Sequence, residues 1–214
     1  MIGRLVKINP KRPQQKKIEE AAEIIRKGGV VIFPTDTVYG IGAGIFNKKA
    51  ITRIYKIKGR DRKKSLVLFI NSKKDLDKFT ERIPEKGYRF IKEFWPGPLT
   101  LIFKASKKIP FGLKDKRGTI GVRIPGHAVA RGLVGAAGPL ATTSANVSGC
   151  KSARKIKDIS KKLFAAVDVV IDGGSTPVGK ESTVLDLTQK PFKVLREGAV
   201  RIKYSSSFVV HSAS

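Results

Sequence analysis

The chain has 214 residues, 44 Lys+Arg against 17 Asp+Glu, a formal charge of +27, and 41% hydrophobic residues. That length and hydrophobic share exclude a disordered chain and suit one large domain with a substantial core. The single cysteine, Cys150, excludes an internal disulfide, and with two histidines, His127 and His211, a Cys/His zinc site is short of its roughly four ligands. No apolar run approaches the roughly 20 residues of a membrane span. The opening MIGRLVKINP has no apolar h-region, so no signal peptide is expected and a cytoplasmic location is. The positive field attracts anions, with nucleotides, RNA and acidic surfaces as the classes, although a solvated Lys-rich surface gives the same composition.

In chain order, residues 16–27 predict a helix, with Ile18, Ala21, Ala22 and Ile25 on one face and Gly28-Gly29 as its stop. Residues 30–33 are a short buried strand closed by Pro34. A second helix covers 48–58, ended by Gly59, and 66–70 is the next strand. Ser72 caps a further helix, with Asp75 three residues on. Residues 84–95 read as helix until Pro96-Gly97-Pro98 breaks it. Strands follow at 99–103 and 119–124, then a short helix at 127–133 and an apolar pair at 140–141 entering a polar loop, 142–149. A helix over 156–164, a strand over 167–171, and strands at 183–187 and 194–196 complete the pattern. Alternating strands and helices argue for an α/β fold. Strand pairs too closely connected for parallel crossovers make the sheet mixed. No repeat or linker is visible, so a single domain over 1–203 with a loose Ser-rich tail over 204–214 is expected.

Five stretches carry candidate chemistry. PTDTVYG at 34–40 follows a buried strand, where ligands of open α/β sheets gather, and offers two hydroxyls and an Asp; an ordinary Asx or Thr turn gives the same residues. Seven of the twelve residues 53–64 are basic, running off a helix through Gly59 into a loop. Loop cations can converge on a phosphate, whereas a charge run is more usually a solvated face. In residues 119–125, alternation puts Thr119, Gly121 and Arg123 on one face, with room beside a guanidinium suited to a carboxylate or phosphate. The competing reading is an Arg paired to an Asp at a sheet edge. Residues 142–149, TTSANVSG, could form an anion nest or simply a capped loop. Residues 174–180 fit P-loop spacing through Lys180, but Glu181 stands where Mg²⁺ needs Ser or Thr, and a strand follows where a helix should. A P-loop is therefore rejected; Ser182 and Arg196 remain candidates.

Taken together, PTDTVYG at 34–40, KGR at 58–60, GVRIP at 121–125, TSANVSG at 143–149, STVLDL at 182–187 and LREG at 195–198 resemble the YrdC family of threonylcarbamoyl-AMP synthases, in order, over roughly residues 15–200. The resemblance implies a single-domain open twisted α/β sheet, flanked by helices, with a concave basic cavity. It implies synthesis of threonylcarbamoyl-AMP and pyrophosphate from L-threonine, bicarbonate or CO₂, and ATP, with Mg²⁺ held through phosphates. Separate proteins would pass the threonylcarbamoyl group to adenosine 37 of tRNA, and a tRNA contact is possible. Carried over by motif, Thr37, Arg123, Ser144 and Ser182 would hold threonine. Lys58 and Arg60 would act at the reacting phosphates, and Arg60, Lys64, Thr119, Thr142, Asn146, Arg154 and Arg196 would hold ATP. The chain departs from the family at Asp61, usually Pro, at Ser65, at Phe69, where longer members carry His, and at SAR 152–154 in place of SPT. An RNA-binding module without catalysis, or a relative handling another carbamoyl or acyl adenylate, are the alternatives.

Overall fold

A computed structural model describes residues 3–110 and 112–202; the expected tail at 204–214 lies outside the described residues. Their backbone forms one ten-stranded sheet and six α-helices. The elements are β1 (Arg4–Lys7), α1 (Gln15–Arg26), β2 (Val31–Phe33), β3 (Gly40–Gly44), α2 (Lys48–Lys58), β4 (Val67–Phe69), α3 (Lys73–Phe79), α4 (Gly87–Phe94) and β5 (Leu99–Lys104). They continue with β6 (Thr119–Arg123), α5 (Ala128–Ala137), β7 (Leu140–Ser144), α6 (Lys161–Ala165), β8 (Val169–Asp172), β9 (Thr183–Asp186) and β10 (Lys193–Arg196). The sheet order is β1-β8-β2-β3-β7-β4-β6-β5-β9-β10. The expected mixed sheet is present: β1, β8 and β2 run parallel, as do β4 with β6 and β5 with β9, while the other pairings are antiparallel.

Local signals set the helix ends. The Asn47 side chain accepts the Ala50 N–H at the start of α2, and Gly59 ends it with φ 58°, in the left-handed region glycine enters without Cβ strain. Ser72 Oγ accepts Asp75 N at 3.2 Å, as expected for a cap. His127 lies just before α5, where its Nδ1 accepts Val129 N at 3.2 Å, and the helix runs on to Ala137 rather than stopping at 133. The expected helix over 156–164 is broken into a 3₁₀ turn, Ile156–Asp158, and α6, because Ser160 turns its Oγ onto Leu163 N and starts a new helix. The segment opening at Pro84 becomes helical only from Gly87.

Two strands were not expected. β1 is mostly exposed and edges the sheet beside β8. β3 is the glycine-rich GIGAG run, held between β2 and β7. A Cβ on Gly42 would stand 3.0 Å from Thr142 Cγ2 and 3.2 Å from Phe33, so the close approach of these strands needs glycine. The polar loop expected from 142 is instead strand through Ser144.

Side-chain alternation gives the sheet two unlike faces. One carries Ile32, Ile41, Leu68, Leu101 and Val122 into the larger core, beneath α2, α3, α4 and α6. The other carries Val31, Phe33, Leu140, Val169 and Ile171, covered by Ile18, Ala21 and Ile25 of α1 and Val129, Ala130 and Leu133 of α5. Farther along that second face, Val67, Phe69, Arg123, Thr142 and Ser144 floor a cavity. Among the described residues no helix is long and apolar enough to cross a membrane.

Candidate active site: a cleft with two unlike ends

The cavity holds about 330 Å³, within the range of small-molecule sites. It gathers Thr37, Lys58, Arg60, Lys64, Arg123, Thr142, Ser144, Asn146, Ser182 and Arg196, contributed by six separate stretches of sequence. Of the residues carried over by motif, only Thr119 and Arg154 are outside its lining.

Arg123 anchors one end. It is 3% exposed, and its Nε donates to Gly97 O at 2.9 Å and its Nη1 to Thr37 Oγ1 at 3.1 Å. Nη2 lies 2.6 Å from Asp36 Oδ1, an ion pair without hydrogen-bond alignment, and Asp36 Oδ1 also accepts Gly126 N. The Asp pairing weighed against a ligand role is therefore real, yet the same guanidinium also faces the cavity. Its carbon lies 5.5 Å from the Phe69 ring centroid, so the Phe69 departure places an aromatic face under the cation. Burial pulls the Arg123 pKa down, and Asp36 opposes that.

The hydroxyls here have a defined polarity. Thr35 Oγ1 donates its one proton to Val38 O at 2.7 Å, so in the 2.9 Å Thr35–Thr37 pair the donor is Thr37. Thr37 Oγ1 also accepts from Arg123, which leaves it one lone pair for a ligand. Ser182 Oγ pairs with Thr100 Oγ1 at 2.8 Å, adding a hydroxyl that the motifs did not flag.

The other end is cationic. Lys58 is 1% exposed, and its ammonium donates to Ser144 O, to Asn146 O at 2.5 Å and to Asn146 Oδ1 at 3.2 Å. Through these contacts Lys58, itself part of the cavity lining, holds the 144–146 wall in place. Burial first, and Arg60 second, lower its pKa to about 8. Arg60 donates from Nε to Lys64 O at 2.9 Å and from Nη2 to Ser65 O at 3.0 Å, folding the basic loop back on itself. Asp61 starts that loop by accepting Lys63 N at 2.8 Å, an Asx turn that does the work of the expected Pro. Arg53, by contrast, pairs with Asp168 at 2.7 Å, away from the cleft.

Arg196 closes this end. Its Nε and Nη2 donate to Ser182 O and Oγ at 3.0 and 3.1 Å, and its Nη1 lies 2.5 Å from Glu181 Oε2. Gly198 makes that approach possible, since a Cβ there would collide with the backbone of residues 181–183. The stretch rejected as a P-loop runs on into a strand, β9, and is tied across the site: Val178 N donates to Asp36 O and Gly179 N to Thr37 O.

Thr119 and Arg154 lie outside this lining for physical reasons. Thr119 shares Arg123's face but sits at the far end of β6, buried under Arg117, which bridges Asp115 and Asp186. Alternation fixes a side chain's face and says nothing of how far along the strand a cavity reaches. Arg154 is exposed, and its guanidinium packs over Gly179. In the sequence Asp36 stands out only as part of its motif and Glu181 only as a P-loop mismatch; in the structure both carboxylates pair with cleft arginines.

The Sua5/YciO/YrdC family model, described as "Telomere recombination", matches residues 23–198. Threonylcarbamoyl-AMP synthase of Pyrococcus abyssi is 38% identical over 193 residues, 90% of this chain and 57% of that protein. The crystal structure of P. abyssi Sua5 complexed with L-threonine superposes with TM-score 0.87 at 38% identity, over 91% of this chain and 57% of that one. The Escherichia coli YciO crystal structure gives TM-score 0.85 at 34% identity, over 92% of this chain and 96% of that one. The chain thus spans little more than half the length of the P. abyssi relative. With six ordered motifs, one shared sheet and a family match across most of its length, the chain belongs to the Sua5/YciO/YrdC family.

Proposed function

We propose that the protein is a cytoplasmic L-threonylcarbamoyladenylate synthase, a nucleotidyltransferase that forms threonylcarbamoyl-AMP and pyrophosphate from L-threonine, bicarbonate or CO₂, and ATP. The observation that carries this reading is the division of one cleft into two ends. At one, Arg123 is charge-balanced by Asp36 beside the Thr37 hydroxyl, with the hydroxyls of Ser144 and Ser182 reaching toward Glu181 and Arg196 of the other, which suits a zwitterionic hydroxy amino acid. At the other, Arg60, Lys64 and Arg196 suit a polyphosphate, with Thr142 and Asn146 beside it. The threonine amine and CO₂ give a carbamate, whose oxygen attacks the α-phosphorus as the α–β phosphoanhydride bond breaks. Negative charge grows on the departing pyrophosphate, where Arg60, Lys64 and Arg196 would stabilise it. Arg123 and the hydroxyls would hold the amino acid in line, so positioning and electrostatics supply the rate enhancement. Among the described residues no group of three His, Cys, Asp or Glu could hold a metal, so Mg²⁺ would arrive bound to the nucleotide's phosphates and neutralise part of their charge.

The product's mixed anhydride makes it a donor, to be consumed by tRNA-modifying transfer proteins acting on position 37. The similarity to a P. abyssi threonylcarbamoyl-AMP synthase supports the substrate set. An RNA-binding module alone gives no reason for a buried Arg–Asp pair facing a hydroxyl-lined cavity.

Pyrophosphate release measured with ATP, bicarbonate and each of the common amino acids tests the reading. Release that requires threonine is expected; none under any Mg²⁺ or salt condition, or release driven by a different acid, overturns it. In the same assay Arg60→Ala is expected to raise the ATP KM at least about ten-fold, through lost charge-assisted contacts and the unfastened loop. The exposed Lys107→Ala is expected to leave it unchanged. Equal losses would make the basic run a mere charged surface.

A further inference from the structure

The cationic end of the cleft contains a carboxylate that the proposed reaction does not use. Glu181 lines the cavity, with Oε2 2.5 Å from Arg196 Nη1 and Oε1 accepting Ser152 Oγ at 2.7 Å. Its side chain is 33% exposed, so an incoming ligand can reach it. Burial pushes its carboxyl pKa up, but Ser152, Arg196, Ser144 and Lys58 outweigh burial and hold it below the ordinary carboxylate value. It is therefore ionised, in the part of the lining read above as the polyphosphate site.

A wall built only to grip phosphate has no use for this charge. Beside a multiply charged anion it repels, and within a few ångströms at protein-surface screening that repulsion is large. The ligand must also draw Arg196 from its carboxylate before using it. We infer that Glu181 is a specificity-determining residue, an internal counter-anion that neutralises Arg196 and keeps small inorganic phosphates from being retained in the cleft. Retention then depends on contacts beyond the phosphates, which a nucleotide makes and free pyrophosphate does not. The inference rests on the reading of this end as a polyphosphate site, and it gives pyrophosphate, a product of the proposed reaction, a reason to leave.

The test is calorimetric titration of the full chain with pyrophosphate at fixed ionic strength. Glu181→Gln keeps the side chain's shape and an acceptor for Ser152 while removing the charge. It is expected to bind pyrophosphate at least about ten-fold more tightly than the unaltered protein. Glu181→Asp, which keeps the charge, is expected to retain the original weak affinity. Glu181→Ala gives a second charge-free variant should the Gln protein fold poorly, and the same tightening is expected of it. Unchanged or weaker binding in folded charge-free variants would overturn the inference, leaving Glu181 a tether between the Ser152 loop and Arg196. The titration does not require threonine or turnover. Tightening without threonine-dependent catalysis would remove the functional reading alone, and catalysis without tightening would remove only the role of Glu181.

Discussion

Arg123→Leu is expected to abolish threonine-dependent pyrophosphate release and to lower the melting temperature by about 10 °C. Two effects coincide at this residue. As structure, its removal leaves Asp36 buried without its cation, and breaking a buried pair from one side costs about 3–5 kcal/mol. For a chain of this size each kcal/mol shifts the melting point by roughly 2–4 °C. As function, the guanidinium fixes Thr37 through Nη1 and faces the cavity. Arg123→Lys separates the two effects. It preserves the charge near Asp36 but loses the fork that reaches Gly97 O, Thr37 and Asp36 together. The Lys variant is expected to melt nearer the unaltered protein while its threonine KM rises on the order of 100-fold. Its ATP KM should change little. Scanning calorimetry with steady-state kinetics in both substrates checks this; parallel losses in both KM values would mean that Arg123 serves the fold alone.

Lys58→Met is the second large effect. The methylenes are replaced, but the carbonyls of Ser144 and Asn146 lose their donor. Each stranded acceptor costs about 1–3 kcal/mol, so a stability loss of roughly 3 kcal/mol is expected. The cavity wall carrying the Ser144 hydroxyl and the Asn146 amide loosens with it, and turnover is expected to fall on the order of 100-fold. Ionisation gives an independent readout. The ammonium donates to all three acceptors below the Lys58 pKa of about 8, and the neutral amine above it keeps only two donors, so one contact to the wall is lost as pH rises through that value. Activity is therefore expected to fall on the alkaline side of pH 8. Glu181 raises the Lys58 pKa, so Glu181→Gln should move that limb to lower pH. A pH–rate profile flat to pH 10 would contradict the assignment.

How much was legible in the sequence depends on how local the signal is. Helix α2 could be read closely, because its apolar spacing, the Asn47 cap and Gly59 all lie within one short segment. The floor of the cleft was harder. The β3 run, GIGAG, has no hydrophobic alternation, and it is a strand only because β2 and β7 accept it from both sides. The polar Thr142–Ser144 segment reads as a loop for want of apolar residues, yet its Thr142 and Ser144 side chains face a cavity that welcomes them. Among site residues, motif order brought the cleft's cations together but left their partners unseen. Arg123 meets Asp36 only through the fold, and Glu181 meets Arg196 only because β9 and β10 pair. Lys58 is legible as a site residue, but nothing local shows that two carbonyls from residues 144–146 close over its ammonium.

If both ends of the cleft act on one product, incubation with ¹³C-bicarbonate, L-threonine and Mg-ATP, followed by mass spectrometry, will find it. A species containing AMP, threonine and the labelled carbon is expected, formed in step with pyrophosphate and absent from Arg123→Lys at low threonine. AMP formed without threonine or label, or a labelled adenylate of some other acid, would contradict it.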